Sequence, residues 1–324
     1  MGGDAFLCYL GAVQKIRALF FGTPAIAVPS LEALASIAEV VGVVCQPDRP
    51  SGRGLVLTAP PVKERALQHG LPVVQPEKIR TPEFAAWVRE READVALVIA
   101  YGRILPKAVL EAPKRGCLNL HASLLPKYRG AAPITWSIAH GEVETGISFM
   151  QMDEGCDTGP VYTQHRTPIA PDMTADELTI VLGALAADVV KADLERIVAG
   201  EISATPQDGD LATQAPLLRK EDGRIDWTRD MREIHDHVRA MTSWPGAFTH
   251  AGGKVLKVLS TRRGSEVSSA PPGTVTSADK HGIEIACGRG TLHLLRAQLE
   301  GKKALSAPEL VSGRAVAAGL VLGA

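Results

Sequence analysis

Asn119, His121 and Ser123 occupy alternate positions at the start of the run NLHASLLPKYRGAAPI, residues 119–134. The apolar stretch GCLNLHA (116–122) reads as a strand that runs straight into polar residues. Alternation along a strand puts these side chains on one face. In an open α/β sheet, ligands gather at the carboxyl ends of the strands. An asparagine amide there can donate hydrogen bonds, and a histidine can donate or exchange a proton near neutral pH. Downstream, MDEGCDTGP (152–160) offers Asp153, Glu154 and Asp157 between two predicted strands. A carboxylate from this turn could orient His121 and raise its basicity. Spacing does not choose among the three acids, and the same residues would also suit local hydrogen bonds that tie down a loop.

Other segments carry weaker chemistry. FGTP (21–24) follows the first predicted strand, but there is no GxGxxG, and Pro24 removes an amide that a phosphate cradle needs. GRGL (52–55) lies inside a loop, so neither segment predicts a dinucleotide or ATP site. The histidines form no HExxH pattern, and His235 and His237 would splay apart on a helix, so no metal site is expected. The loop QPDRPSGRGLVL (46–57) presents Arg49 and Arg53 among prolines and glycines, where arginines can grip phosphates or stack on bases. Between 251 and 303 the bases Lys254, Lys257, Arg262, Arg263, Lys280, Arg289, Arg296, Lys302 and Lys303 face only Glu266, Asp279, Glu284 and Glu300. That bias suits contact with a nucleic-acid backbone. Aromatic residues are 4 % of the chain, so electrostatic docking is expected rather than stacking on many bases. Trp227, Trp244 and Phe248 are expected in the core or at a junction.

The elements that must position these residues follow from apolar periodicity. Strands are predicted at 16–22, 39–45, 93–100, 116–122, 145–151 and 161–169, and helices at 28–37, 61–68, 82–91 and 174–198. Trp87 belongs on the apolar face of the third helix. Thr174 followed by Glu177 has capping-box spacing, and Gly200 ends that helix. Strands alternating with helices predict an α/β fold with a mostly parallel, Rossmann-like sheet covered on both faces. Residues 46–60 are expected as a long loop. From about 220 the pattern changes: one helix at 230–241, then short strands separated by glycines, which suggests a small β-barrel.

The 324 residues are comfortable for two domains. The expected division is an extension at 1–15, a catalytic domain at 16–200, a linker at 201–218 and a β-barrel at 219–324. A formal net charge of -1 neither announces nor excludes a nucleic-acid partner, because the local distribution decides. The five cysteines form no CxxC and are widely spaced, which favours free thiols in a reducing compartment. No basic residue precedes the apolar part of 1–15, and no run reaches the about 20 apolar residues of a membrane span. A cytoplasmic protein is expected.

These motifs come in an order that resembles the methionyl-tRNA formyltransferases, a family of folate-dependent formyltransferases. The match includes FGTP, QPDRPSGRG (46–54), AYGRILPKAVL (100–110), NLHASLLPKYRGAAPI and ETGISFMQMDEGCDTGP (144–160). It continues through KEDGRIDW (220–227), WPGAF (244–248), APPGTV (270–275) and GKKALSAPEL (301–310), so only 1–15 falls outside it. The resemblance implies a formyltransferase domain followed by an oligonucleotide-binding-like barrel. It implies 10-formyltetrahydrofolate as formyl donor and initiator methionyl-tRNA as acceptor. It assigns catalysis to Asn119, His121 and Asp157, which selects among the three acids. It gives folate contacts to Ser123, Leu124, Leu125 and Pro126 and a pterin pocket to Ile104, Leu105 and Pro106. It brings Arg49 and Arg53 to the tRNA acceptor end.

The chain departs from the family pattern at Leu55, Val56 and Leu57, where some members carry lysines, and at Ala25 and Leu217. These bear on tRNA affinity and leave the proposed trio intact. Formyl transfer to a small amine, such as a nucleotide sugar or glycinamide ribonucleotide, or hydrolysis of the formyl-folate, would leave the PDRPSGRG loop and the basic C-terminal part without a task. An RNA-binding protein with a dead catalytic fold would be expected to have lost one of the trio.

Overall fold

The computed structural model describes residues 15–51, 54 and 56–323. The expected extension at 1–15 therefore lies outside the described residues except for Lys15, and so does Arg53. The chain divides into two compact units, one running to Leu118 and including Val190–Glu201, the other made of Asn119–Val189 and Ile202–Ala324.

In the first unit, β1 (Arg17–Gly22) is an apolar run with five of its six residues buried, as a strand covered on both faces requires. It is followed by α1 (Val28–Ile37), β2 (Glu39–Val44), β3 (Arg49–Ser51), β4 (Val56–Thr58), α2 (Pro61–Gln68) and β5 (Val73–Val74). Then come α3 (Pro82–Glu90), β6 (Val95–Ile99), α4 (Lys107–Leu110) and the start of β7 (Cys117–His121). The sheet runs β5-β2-β1-β6-β7, and the pairs β1/β2, β1/β6 and β2/β5 are parallel. Gly42 in β2 makes room for a close layer: a Cβ there would lie 2.9 Å from the ring of Trp87 on α3. Trp87 stacks on Phe84 with centroids 5.9 Å apart, and the guanidinium of Arg91 sits 4.8 Å over its ring.

The segment expected as a long loop at 46–60 is instead partly a β-ribbon. β3 and β4 pair antiparallel, Arg49 opposite Thr58 and Ser51 opposite Val56. Its prolines and glycines hide the alternation that marks a strand. Gln46 anchors the base by donating to Tyr101 O (3.0 Å) and Gly102 O (3.2 Å), while Arg49 donates to Gln46 Oε1 at 3.0 Å. Lys63 and Gln75 both donate to Asp48, and these bonds hold its carboxyl below the ordinary range.

In the second unit β7 is followed by α5 (Pro133–Ala139), β8 (Glu144–Gln151) and β9 (Val161–Pro168), with the strands in the order β7-β8-β9. β8 and β9 are antiparallel. The sheet is thus mixed, with its parallel part on β5-β2-β1-β6. The long helix α6 (Ala175–Ala199) opens as its capping box requires: Thr174 N and Oγ1 both donate to Glu177 Oε2 at 2.8 Å, and Glu177 N donates back to Thr174 Oγ1. Such a cap contributes about 1 kcal/mol.

After residue 220 come α7 (Met231–Ala240), β10 (Phe248–Ala251), β11 (Lys254–Arg263), β12 (Val275–Asp279), β13 (Gly282–Ala286), β14 (Thr291–Leu299), β15 (Leu305–Ser306) and α8 (Ala307–Ser312). The strands form an antiparallel sheet in the order β10-β11-β14-β13-β12, with β15 on β14. Ile234 and Val238 of α7 belong to the same buried core as Leu256, Ile283, Ile285, Leu292 and Leu294. Trp227 is buried and donates from its indole to Thr249 Oγ1 at 3.0 Å, and Phe248 is half-buried. Trp244, expected in the core or at a junction, is 57 % exposed and so is not a core residue. It stands in the Pro- and Gly-containing turn between α7 and β10, where no layer covers it.

His235 on α7 lies buried between Thr261 Oγ1 (3.0 Å) and Asp172 Oδ1 (3.1 Å). Burial keeps its pKa below the ordinary 6.5, against the pull of Asp236 and Asp172. A depressed histidine favours the fold while neutral, so its contribution is complete above pH 6.5 and is lost as pH falls through the folded value. His237 on the same helix is lowered by burial as well. Melting temperatures measured from pH 7.5 to 5 are expected to fall, and His235→Gln should flatten that dependence.

Candidate active site

The site is built on the last residues of β7 and the turn after it. Asn119 and His121 project on one face of the strand, and both are buried, at 9 % and 5 % exposure. His121 Nε2 lies 2.8 Å from the backbone oxygen of Tyr128. A carbonyl oxygen only accepts, so Nε2 carries the proton. The other ring nitrogen, Nδ1, is 3.6 Å from Asp157 Oδ2. His121 and Asp157 are therefore neighbours in space although they are 36 positions apart in sequence. Asp153 is turned elsewhere, accepting from Thr158 Oγ1 at 2.9 Å and from Gly155 N at 3.0 Å. Glu154 is exposed.

Asp157 and Tyr128 share an unusual backbone. Both sit at positive φ, 55° and 62°, the left-handed region that non-glycine residues rarely adopt. At Tyr128 this turns a main-chain carbonyl toward His121. The conformation is held from both ends. Tyr128 N donates to Thr213 Oγ1 at 2.9 Å, and the phenol donates to Glu142 Oε1 at 2.9 Å. Burial and then the bond to Glu142 push the Tyr128 phenol up. Burial works against ionisation of Glu142 too, yet its bonds from Lys127 and Tyr128 hold that carboxyl below the ordinary range. Asp157 accepts from Gly130 N at 2.9 Å. The adjacent Cys156 thiol is raised by burial and by the Asp157 charge.

Gly130 has φ 122°, and a Cβ there would lie 2.6 Å from Ala215 O. Its missing side chain lets two backbones approach while its amide meets Asp157.

Among the residues expected to hold folate, Ser123 is fully buried and its hydroxyl donates to Lys127 O at 2.7 Å, closing the turn. Leu125 is buried, its amide bound to Ser148 Oγ at 3.0 Å, while Leu124 and Pro126 are half-buried. In the first unit, Ile104 is 64 % exposed, Leu105 is buried and Pro106 is half-buried, in the loop between β6 and α4. Arg49 is at the base of the β3–β4 ribbon, and Val56 and Leu57 on its return strand are both exposed. Among the described residues no group of three His, Cys, Asp or Glu side chains is placed to hold a metal ion. No described helix is long and apolar enough to cross a membrane.

Sequence reasoning missed Tyr128, Gly130 and Thr213, because two of them act through main-chain atoms and the third lies in the expected linker. The only advance signal was their place within or after the PKYRG run.

An α/β sheet carrying a buried Asn, a His and a carboxylate at one strand end, with an antiparallel sheet further along the chain, defines an enzyme of the formyltransferase class. The family Formyl transferase matches residues 14–188, and Formyl transferase, C-terminal domain, matches 217–315. The methionyl-tRNA formyltransferase of Sorangium cellulosum is 69 % identical over 95 % of this chain and 100 % of its own length. That of Myxococcus xanthus is 50 % identical over 95 % of this chain and 98 % of its own. The chain belongs to the methionyl-tRNA formyltransferase family. An N-formyltransferase from Helicobacter canadensis, solved with folinic acid and dTDP-3-aminofucose, shares the fold: TM-score 0.65 at 19 % identity, covering 86 % of this chain and 99 % of that one.

Replacing Gly130 by Ala should destabilise the protein by about 1–3 kcal/mol, read as a lower denaturation midpoint. A midpoint equal to that of the parent protein would show that the approach to Ala215 is not tight.

Proposed function

We propose that this enzyme transfers the formyl group of 10-formyltetrahydrofolate to the α-amine of methionine on initiator tRNA, with Asn119, His121 and Asp157 carrying the step. The observation that carries this assignment is the 3.6 Å approach of Asp157 to Nδ1 of His121, which shares its strand with Asn119. The acceptor rests on relatives named for methionyl-tRNA that match nearly the whole chain. The donor is supported by the folinic acid in the Helicobacter enzyme. That enzyme's other ligand is a nucleotide sugar, so the shared fold by itself selects no acceptor.

The α-amine of a peptide titrates at about 7.7–8.0, and an ester neighbour keeps the aminoacyl amine in that range or below it, so much of it is neutral at physiological pH. The demanding event is the build-up of charge on the formyl oxygen. As the amine nitrogen bonds to the formyl carbon, the carbonyl becomes a tetrahedral oxyanion. Asn119 donates to it from its amide. His121 donates from Nδ1, the ring nitrogen not committed to Tyr128 O. Asp157 stabilises the charged ring and takes the amine proton, directly or through water. The carbon–N10 bond then breaks, N10 takes up a proton, and tetrahydrofolate leaves. Donors pre-aimed at the developing charge lower the barrier because they need no reorganisation.

Ser123–Pro126 and Ile104–Pro106 are assigned to the folate. The domain division proposed is a catalytic part at 16–200, a connector at 201–218 and a tRNA-binding part at 219–324. Its antiparallel sheet would close as an oligonucleotide-binding-like barrel. Arg49 and Arg53 are assigned to the acceptor end of the tRNA. The enzyme acts in the cytoplasm, on a charged tRNA before translation starts, and needs no metal.

Asn119→Ala should lower kcat by about 10²–10³-fold and leave both KM values near those of the parent enzyme. A rise in KM with unchanged kcat would remove Asn119 from the transition state. Arg53→Ala should raise the KM for tRNA severalfold while kcat at saturating tRNA stays the same, and a rate loss at saturation would refute a binding role.

A further inference from the structure

The segment 201–218 lies between the two sequence-matched regions, yet it bonds to the backbone of the turn that carries Asp157. Gln207 is half-buried there, and its side-chain amide makes four hydrogen bonds. Nε2 donates to Asp157 O at 2.8 Å and to Gly159 O at 2.7 Å. Oε1 accepts from Arg129 Nε at 3.1 Å and from its terminal nitrogen at 2.8 Å. Carbonyls only accept and a guanidinium only donates, so the amide has one possible orientation. Both of its N–H groups and both lone pairs are in use. Neighbouring residues of the segment pair in β fashion: Thr205 and Val161 exchange two backbone bonds of 2.8 Å. Arg129 N donates to Thr213 O at 2.9 Å, and Ala215 N donates to Arg129 O at 2.7 Å.

We infer that Gln207 is a positioning residue that clamps the Asp157 turn onto the Tyr128–Gly130 turn and so sets the distance between Asp157 and His121. The two turns supply the two partners of His121: Tyr128 O on one ring nitrogen and Asp157 on the other. Each turn contains a residue in the left-handed region. One bond joins the two turns directly, from Gly130 N to the Asp157 carboxylate, and it leaves the backbone of the Asp157 turn to be fixed by Gln207. Gln207 binds the carbonyl of Asp157 itself on one side and the side chain of Arg129 on the other. It touches neither the ring nor the carboxylate and acts only through their carriers. This inference rests on the catalytic reading of Asp157.

The test compares Gln207→Ala, Gln207→Glu and Asp157→Asn with the combination Gln207→Ala/Asp157→Asn, in full-length enzyme. Steady-state rates are measured with initiator methionyl-tRNA and 10-formyltetrahydrofolate across pH 6–9, with tRNA affinity measured separately to show that each variant is folded. A displacement of about 1 Å at a reacting group costs on the order of 10²-fold. The expected result for Gln207→Ala is therefore a 10- to 100-fold loss of kcat, both KM values little changed, and a displaced pH profile. Gln207→Glu keeps the Arg129 contact but sets an oxygen against two carbonyls, so it should lose as much. In the Asp157→Asn background the Gln207→Ala loss should largely vanish, because the group it positions is gone. A full loss in that background, or an active Gln207→Glu enzyme, would overturn the clamp. If Asp157→Asn alone leaves kcat intact, the catalytic reading of Asp157 falls first and the inference with it, which separates the two failures.

Discussion

The hydrogen bond from His121 Nε2 to the carbonyl of Tyr128 is the constraint on which the rest of the site turns. Because that oxygen has no proton to give, one tautomeric choice is made for the ring before any substrate arrives. The proton sits on the buried side, and Nδ1 is the nitrogen left to face Asp157. Bringing a main-chain carbonyl to that place requires Tyr128 to adopt a positive φ, a conformation that costs an L-residue roughly 1–2 kcal/mol. Thr213, Glu142 and the burial of the Tyr128 ring supply the offset. Local strain thus stands where orientation is needed and is balanced by bonds from elsewhere in the chain.

The second unit combines two kinds of β-structure with different tasks. β7 and β8 bury their side chains and present one strand end to the site. The antiparallel sheet after residue 248 has a core of Leu256, Ile283, Ile285 and Leu292, while Lys254, Lys257, Arg262 and Arg263 are exposed along β11. These side chains keep their charges in water and out of the core. In the first unit, the β3–β4 ribbon carries exposed Val56 and Leu57 where some family members carry lysine.

Much of the architecture was legible from residue order. The runs RALFFG and VALVI are strands because each is a short, almost wholly apolar stretch, and buried strands read that way. The Thr174–Glu177 pair marks the start of α6 because both partners of a capping box are local. The β3–β4 ribbon was not legible, since its prolines and glycines suppress alternation. Nor was the exposure of Trp244, because an aromatic side chain reports its burial only through what covers it.

The sequence by itself determined most of the helices and strands and which polar residue types stand at the end of β7. These depend on local periodicity, capping and side-chain chemistry, all of which act over a few positions. The resemblance to the family had already chosen Asp157 among the three acids, and the tertiary structure gave that carboxylate its 3.6 Å approach to His121 Nδ1. It also decided which ring nitrogen is engaged, and that Gln207 and Thr213 from the connector hold the two turns. Those outcomes depend on main-chain carbonyls and amides brought together from positions 7 to 85 apart. Every residue carries the same backbone groups, so no side-chain pattern announces which of them will be aimed at a site.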